Sequence, residues 1–355
     1  MPDALTANAL TADAARLAIA PVEGEGERWD RFVAAYGGTF CHLSAWREVM
    51  REALGHACHY LAAEDEAGEW QGVLPLVEVR SRLLGSYLLS MPFLNDGGPL
   101  GTLAARHALA EHAGRLASKQ RVDLLELRTR DALSAPLRAV QRKISVHLPL
   151  PETAAELWDS GFRSKLRSQI RRPIREGMEL RFGSEQCGAF YEVFARNMRD
   201  LGTPVLPRCF FDAIARALPE QAIFGAVYHH GRAVAAGCGF LWQGEFEITW
   251  ASSLREFNHL SPNMLLYWGF IEHVIGRGAR LFNFGRCTPG GSTHRFKLQW
   301  GGVEVPLPWL QWSAREVSAP PTADRPLFQL ATRIWQRMPL PVANAVGPVL
   351  ARLLP

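Results

Sequence analysis

The densest chemistry in the chain lies in the run Leu281-Phe-Asn-Phe-Gly-Arg-Cys-Thr-Pro-Gly-Gly-Ser-Thr-His-Arg-Phe-Lys-Leu-Gln-Trp-Gly301. A strand-like stretch ends in a Gly-Arg corner, passes a Pro-Gly-Gly loop and enters a short helix carrying Arg295 and Lys297. Backbone N–H groups at that helix start, with Arg286, Arg295 and Lys297 beside them, make an anion or oxyanion site. A surface turn with solvated basic residues is the plainer reading. Upstream, Glu245, Glu247 and Thr249 share one face of a strand. If that face lines a cleft, Glu247 is a base or amine anchor; otherwise it is a solvated carboxylate. Tyr267, on a helix, is an acid or a packing residue. A second concentration of charge is Arg163, Arg167, Arg171 and Arg175, which recur every four residues with Lys165 and Arg172 among them and no acid between. Such a stripe fits a phosphate backbone or a solvated helix face, and Pro173 should kink or restart that helix.

Periodicity supplies the elements that must position these residues. In the first half, helices are expected at Trp29–Tyr36, Ser44–Leu54 (Ser44 as N-cap) and Ala104–Lys119. Strands are expected at His59–Ala63, Val73–Val79, Tyr87–Met91 and Asp123–Arg128, with a last strand and linker over Pro136–Pro151. In the second half, Glu185–Leu201, Cys209–Leu218 and an amphipathic Pro262–Ile275, capped by Ser261, read as helices. Ala222–Tyr228, Ala233–Trp242 and Glu245–Ala251 read as strands joined by tight turns at His230-Gly231 and Gln243-Gly244, and Arg280–Phe284 as the strand that follows the helix. Both halves run paired strands, long helix, strand. Tyr87 to Asp123 and Glu245 to Leu281 each span 36 residues, which suggests a duplication although residue identities differ. Hairpins followed by a helix and a returning strand indicate α+β rather than a doubly wound sheet.

At 355 residues the chain has room for two domains, and 48% apolar against 21% charged residues excludes disorder and coiled coil. A net charge of +4 is too mild to name a partner. Neither G-x-G-x-x-G nor G-x-x-x-x-G-K-[ST] occurs, which removes the main support for dinucleotide and P-loop folds. Cys41, Cys58, Cys187, Cys209, Cys238 and Cys287 form no C-x-x-C pair, and the histidines give no ligand spacing. Reduced thiols and no metal are expected. The acids near the start, and the lack of a basic n-region, argue against a secretory signal; the expected location is cytoplasmic.

The 281–301 run resembles the F-D-F-G-R-S-T-P-x-x-x-x-x-R-F-K-x-x-W-G signature of FemAB-like proteins of the GNAT acyltransferase superfamily. Phe162–Gly177 resembles the family's basic helix, and Asn197-Met-Arg-Asp-Leu-Gly-Thr-Pro204 a segment typical of the branch associated with exosortase and exopolysaccharide loci. The resemblance implies tandem GNAT-like domains with mixed, largely antiparallel sheets flanked by helices. The expected division is a loose lead-in over 1–25, domains over 26–157 and 158–312, and a tail over 313–355. It also implies an acyl- or aminoacyltransferase that forms an amide on an amine of a peptidoglycan or exopolysaccharide intermediate. Alternatives are an acetyl-CoA-dependent N-acetyltransferase of an amino sugar and a catalytically silent binding protein.

By that resemblance Lys297, Glu247 and Asn283 are catalytic. Arg286, Arg295, Phe296 and Ser261 bind the donor, and Asn197, Arg199, Asp200 and Tyr267 frame the acceptor. Arg163, Arg167, Arg171 and Arg175 are candidates for phosphate or tRNA. Asn283 departs from the family's Asp, and an amide cannot serve as a base: if that Asp is catalytic, this chain is impaired or uses a different group, and if it only braces the loop, Asn283 is a near-neutral replacement. No tightly bound cofactor is expected, only a donor, aminoacyl-tRNA or acyl-CoA. The glycine-free stretch Leu254–Asn263 disfavours the close pyrophosphate approach of acyl-CoA. In the tail, Leu327–Met338 sets Gln329, Arg333, Gln336 and Arg337 opposite Leu327, Leu330, Ile334, Trp335 and Met338. That pattern suits peripheral contact with the inner face of a membrane, or docking on the domains or a second subunit.

Overall fold

The computed structural model describes residues 16–81, 85–133, 135–314 and 326–354. In chain order the first elements are β1 (Ala18–Pro21), α1 (Gly26–Ala35), α2 (Trp46–Leu54), β2 (Ala57–Glu64), β3 (Trp70–Ser81), β4 (Gly85–Leu89), β5 (Leu100–Gly101), α3 (Leu103–Gln120), β6 (Leu124–Leu127) and β7 (Arg138–Val140). Next come β8 (Ile144–Pro149), α4 (Ser164–Arg175), β9 (Glu179–Phe182), α5 (Cys187–Leu201), α6 (Arg208–Ala217), β10 (Ala222–His229), β11 (Arg232–Trp242) and β12 (Glu245–Ser253). The chain closes with α7 (Pro262–Gly276), β13 (Leu281–Cys287), α8 (Ser292–Leu298), β14 (Val303–Pro306), β15 (Trp309–Ser313), α9 (Pro326–Arg337) and α10 (Leu340–Ala351).

The class is α+β. The chain divides into two units at Arg142/Lys143 and re-enters the first at Pro306. In the first unit the strands run β1-β2-β3-β4-β6-β15-β7, with β5 on β3; among the described residues only β4 and β6 pair parallel. Helix α3 lays Ala105, Leu109, Ala113 and Ala117 over Leu74, Leu76, Leu88 and Leu125, and the alanines bring the helix axis close to the sheet.

In the second unit the order is β14-β8-β13-β12-β11-β10-β9, with β12 and β13 pairing parallel. The His230-Gly231 and Gln243-Gly244 hairpins have positive φ at both positions, as two-residue loops between twisted strands require. Helix α7 is buried on nearly every side, from Met264 to Ile275. The amphipathic reading of this helix is therefore wrong: a sheet covers one flank while α4 and the aromatic residues Trp158, Phe162 and Trp300 cover the others.

Other local expectations also change. Ala18–Pro21, read as part of a loose lead-in, pairs antiparallel with β2 from Ala18↔Glu64 to Pro21↔Leu61. Ser44 does not cap α2; its N–H and hydroxyl donate to Asp30 at 2.7 and 2.8 Å. β8, read as the end of the first domain, lies between β13 and β14 in the second sheet, while β15 joins the first. The two parallel pairings are alike: Tyr87↔Leu124, Leu88↔Leu125 and Leu89↔Glu126 in one unit, Glu245↔Leu281, Phe246↔Phe282 and Glu247↔Asn283 in the other. Each joins a strand that precedes a long helix to the strand that follows it, which supports duplication at the level of topology.

Candidate functional site

The site grows from the way β12 and β13 part. They pair only as far as Glu247↔Asn283, although β12 continues to Ser253 and β13 to Cys287. β12 also carries a bulge, since Gly239 faces Ile248 while Cys238 faces Trp250, leaving Thr249 extra. Phe246, Ile248, Phe282 and Phe284 pack into the core beneath α7. Strand alternation then turns Glu245, Glu247 and Asn283 to the opposite face.

There they form a closed polar network. The Asn283 amide oxygen accepts from the Ser145 hydroxyl at 2.6 Å and the Gly285 N–H at 2.8 Å. Its Nδ2 donates to Glu245 Oε1 and Glu247 Oε2, both at 3.0 Å. All four hydrogen-bonding positions of the amide are used. Thr249 Oγ1 donates to Glu247 Oε1 at 3.2 Å. Glu247 is 1% exposed and Asn283 3%, so the carboxylate is held in a fixed orientation away from bulk water. The asparagine in place of the family's aspartate has a local reason. A carboxylate at 283 would face two others across about 3 Å, where like charges cannot all ionise.

Lys297 enters from α8. Its ammonium donates to the carbonyl oxygens of Gly285 at 2.7 Å and Arg286 at 2.9 Å, where the pairing of β13 with β8 is interrupted. Only 3% of the residue is exposed. Burial pulls its pKa down to about 8, opposed by Cys287 and Glu247 and aided by Arg286. A buried cation that titrates near neutrality, beside a fixed carboxylate, is an arrangement suited to proton transfer and to steadying a developing anion.

The remaining sequence-read residues divide. Arg286 is exposed; it contributes its carbonyl to Lys297, and its guanidinium adds to the burial that lowers the pKa of Lys143. Arg295, also exposed, donates to the Gly290 carbonyl at 3.1 Å. Phe296 sits edge-on to Tyr267 with ring centroids 4.9 Å apart. Tyr267 also stacks on Phe284. It therefore packs on the face away from Glu247, and burial raises its hydroxyl pKa. Ser261 is at the N-cap of α7 but in a left-handed conformation with no side-chain capping bond.

Asn197 donates to Ser252 Oγ on β12 at 3.0 Å. Arg199 pairs with Asp200 at 2.6 Å and donates to the Met338 carbonyl at 3.0 Å. Arg199, braced by Asp200, thus ties the end of α5 to the junction of the last two helices, an anchoring job that the 197–204 segment did not reveal. The basic stripe is not uniform either. Helix α4 runs through Pro173 to Arg175. Arg167 Nη1 donates to the carbonyls of Trp158, Asp159 and Phe162 at 3.0–3.1 Å, and Arg171 lies over the Trp158 ring at 5.2 Å. Arg163 and Arg175 remain exposed.

Sequence reasoning missed Ser145 and Gly285. It also missed His294, whose Nδ1 accepts from the Gly290 N–H at 3.0 Å. No signal marked Ser145, because its strand reads as belonging to the other half. A separate cavity of about 480 Å³ in the first unit is lined by Trp29, Arg47 and Tyr60 among others, and by none of the sequence-read site residues. Among the described residues no group of acids, histidines and cysteines could hold a metal, and all six cysteines are free thiols.

The acetyltransferase (GNAT) domain family matches residues 160–298. The matched span runs from the basic helix α4 to the end of α8, so Glu247, Asn283 and Lys297 all lie inside it. No curated protein matches the chain by sequence. Among solved structures, FemX is similar with a TM-score of 0.62 and 15% identity, over 88% of this chain and 100% of that one. The C-terminal DUF2156 domain of a protein from Agrobacterium fabrum, described as a lysylphosphatidylglycerol synthetase, has a TM-score of 0.56 and 16% identity, over 87% and 95% of the two chains. L-PGS from Bacillus licheniformis has a TM-score of 0.56 and 13% identity, over 90% and 99%. The fold likeness thus reaches well outside the matched span and agrees with the α+β class read from the sequence.

Proposed function

We propose that this GNAT-type acyltransferase joins an acyl or aminoacyl group to an amine on a cell-envelope precursor, with chemistry in the parted end of β12 and β13. The observation that carries the reading is the buried Glu247 carboxylate, fixed by Asn283 and Thr249 on the strand pair that also receives Lys297. The amine nitrogen attacks the donor's acyl carbon, forming a C–N bond. Glu247 takes the proton that nitrogen loses. The Lys297 ammonium and backbone N–H groups offset negative charge on the carbonyl oxygen. Collapse breaks the C–O bond of an ester donor or the C–S bond of a thioester, and the leaving oxygen or sulfur takes up the proton that Glu247 received. Asn283 touches no reacting atom here; it positions Glu247.

Fold likeness to FemX and to the lysylphosphatidylglycerol synthetase domain supports an envelope acceptor. The glycine-free approach to α7 favours aminoacyl-tRNA over acyl-CoA. Because Arg167 and Arg171 are occupied with the Trp158 turn, any phosphate contact of α4 falls to Arg163, Lys165, Arg172 and Arg175. Titration calorimetry separates the donors: aminoacyl-tRNA binds and acetyl-CoA gives no heat. Micromolar binding of acetyl-CoA instead would assign the chain to N-acetyl transfer, and binding of neither donor would remove the transferase reading.

A further inference from the structure

From Arg325 to Pro355 the chain carries four arginines and no acid. Helices α9 and α10 pack on α5 through small and polar residues. Thr332 sits against Gly202. Ala343, Gly347 and Ala351, spaced i, i+4 and i+8, are the buried residues of α10. A Cβ on Gly347 would meet the Val205 backbone nitrogen at 3.0 Å, so that contact is close.

The large apolar residues face outward instead. Val342, Val346 and Val349 are 45, 40 and 48% exposed, and Leu330 and Ile334 are 54 and 57%. On α9, Leu330, Arg333, Ile334 and Arg337 follow i, i+3, i+4 and i+7 and are all exposed, so the two arginines stand beside Leu330 and Ile334 and not opposite them, which corrects the sequence reading. Arg333, Arg337 and Arg352 have no ion-pair partner among the described residues. No helix among those residues is long and apolar enough to cross a membrane.

We propose that α9 and α10 form an interfacial anchor that lays this row of valines, leucine and isoleucine on an anionic lipid bilayer. Buried side chains cannot account for an apolar row held in water by a well-packed small-residue face. The charge pattern selects the occupant. A second copy would bring arginines against arginines with no acid to neutralise them, whereas anionic headgroups attract each arginine while the aliphatic row enters the acyl boundary.

The test is co-sedimentation of the full chain with phosphatidylcholine vesicles containing about one-third phosphatidylglycerol, a surface charge that attracts arginine. The wild type pellets with these vesicles and much less with pure phosphatidylcholine, and high salt releases it. Val342→Ser/Val346→Ser/Val349→Ser lowers partitioning at least ~10-fold, as expected when buried methyl groups are lost. Arg333→Gln/Arg337→Gln, which removes exposed side chains only, abolishes the preference for the anionic vesicles. The proposal is overturned if the wild type stays in the supernatant, if both variants pellet like the wild type, or if light scattering shows a dimer that the valine variant dissolves.

Discussion

Lys297 holds a charge that its surroundings resist, and the pH dependence of the reaction should show it. With a folded-state pKa of about 8, the ammonium is complete below that value and lost as pH rises through it. If the cation steadies the oxyanion, transfer falls above pH 8 once the acceptor amine's own rising limb is divided out. Lys297→Arg, whose guanidinium stays charged, moves that fall to higher pH, and Lys297→Met removes the limb together with most of kcat. A pH–rate profile of the three proteins checks this. Asn283→Asp tests the network from the other side. Restoring the family's aspartate sets a third carboxylate beside Glu245 and Glu247, so its pKa must rise on folding. A raised carboxyl pKa costs stability as pH climbs from the unfolded value of about 4 towards the folded one. Thermal melts should put this variant close to wild type at acidic pH and below it at pH 8, with activity lower than wild type throughout. At this scale the 281–301 motif named Lys297 and Asn283 and strand alternation named Glu247, and the three lie within one strand pair and its following helix. It was silent on partners, because Ser145 arrives from a strand 138 residues away in sequence and no local pattern reports such a meeting.

The bulge on β12 is the element-scale device that sets Glu247. Gly239 lies opposite Ile248 at that bulge, and a Cβ there would run into the Phe246 ring and the Glu247 carbonyl oxygen, the latter at 2.5 Å. Gly239→Ala should therefore cost about 1–3 kcal/mol, the usual range for overpacking, and lower kcat more than it raises KM. Chemical denaturation and steady-state kinetics measure the two effects. The strands, their hairpin turns and the long helices were legible because period and turn residues speak locally. The burial of α7 was not, since a helix covered on several sides loses the two-faced pattern that periodicity detects. Nor was the role of Arg167: a four-residue arginine repeat looks the same whether its members reach solvent or brace three carbonyls.

At the scale of the molecule, the two strands that cross the expected boundaries matter most. β8 supplies both Ser145 and a central place between β13 and β14, and β15 pairs with β6 and β7 of the first sheet. A fragment cut at the sequence-read limits of 158 and 312 lacks the first of these and carries the second unpaired. It should give no cooperative unfolding transition, whereas the intact chain does; calorimetry compares them. The duplication was visible as an equal spacing of 36 residues, although the register pairs Tyr87 with Leu124 rather than Asp123. The strand assignments failed where pairing partners lie far apart in the chain, since sheet membership is a property of the fold and not of any short segment. The central claim is that the gap between β12 and β13 is a site of amide formation. Its most direct test is single-turnover acyl transfer from aminoacyl-tRNA to extracted envelope precursors, followed by mass spectrometry, with wild type and Glu247→Gln compared at equal thermal stability. The account predicts an acyl mass gain with the wild type and at least a ~100-fold slower gain with the variant, the scale of a lost general base. Equal rates from the two proteins would contradict it.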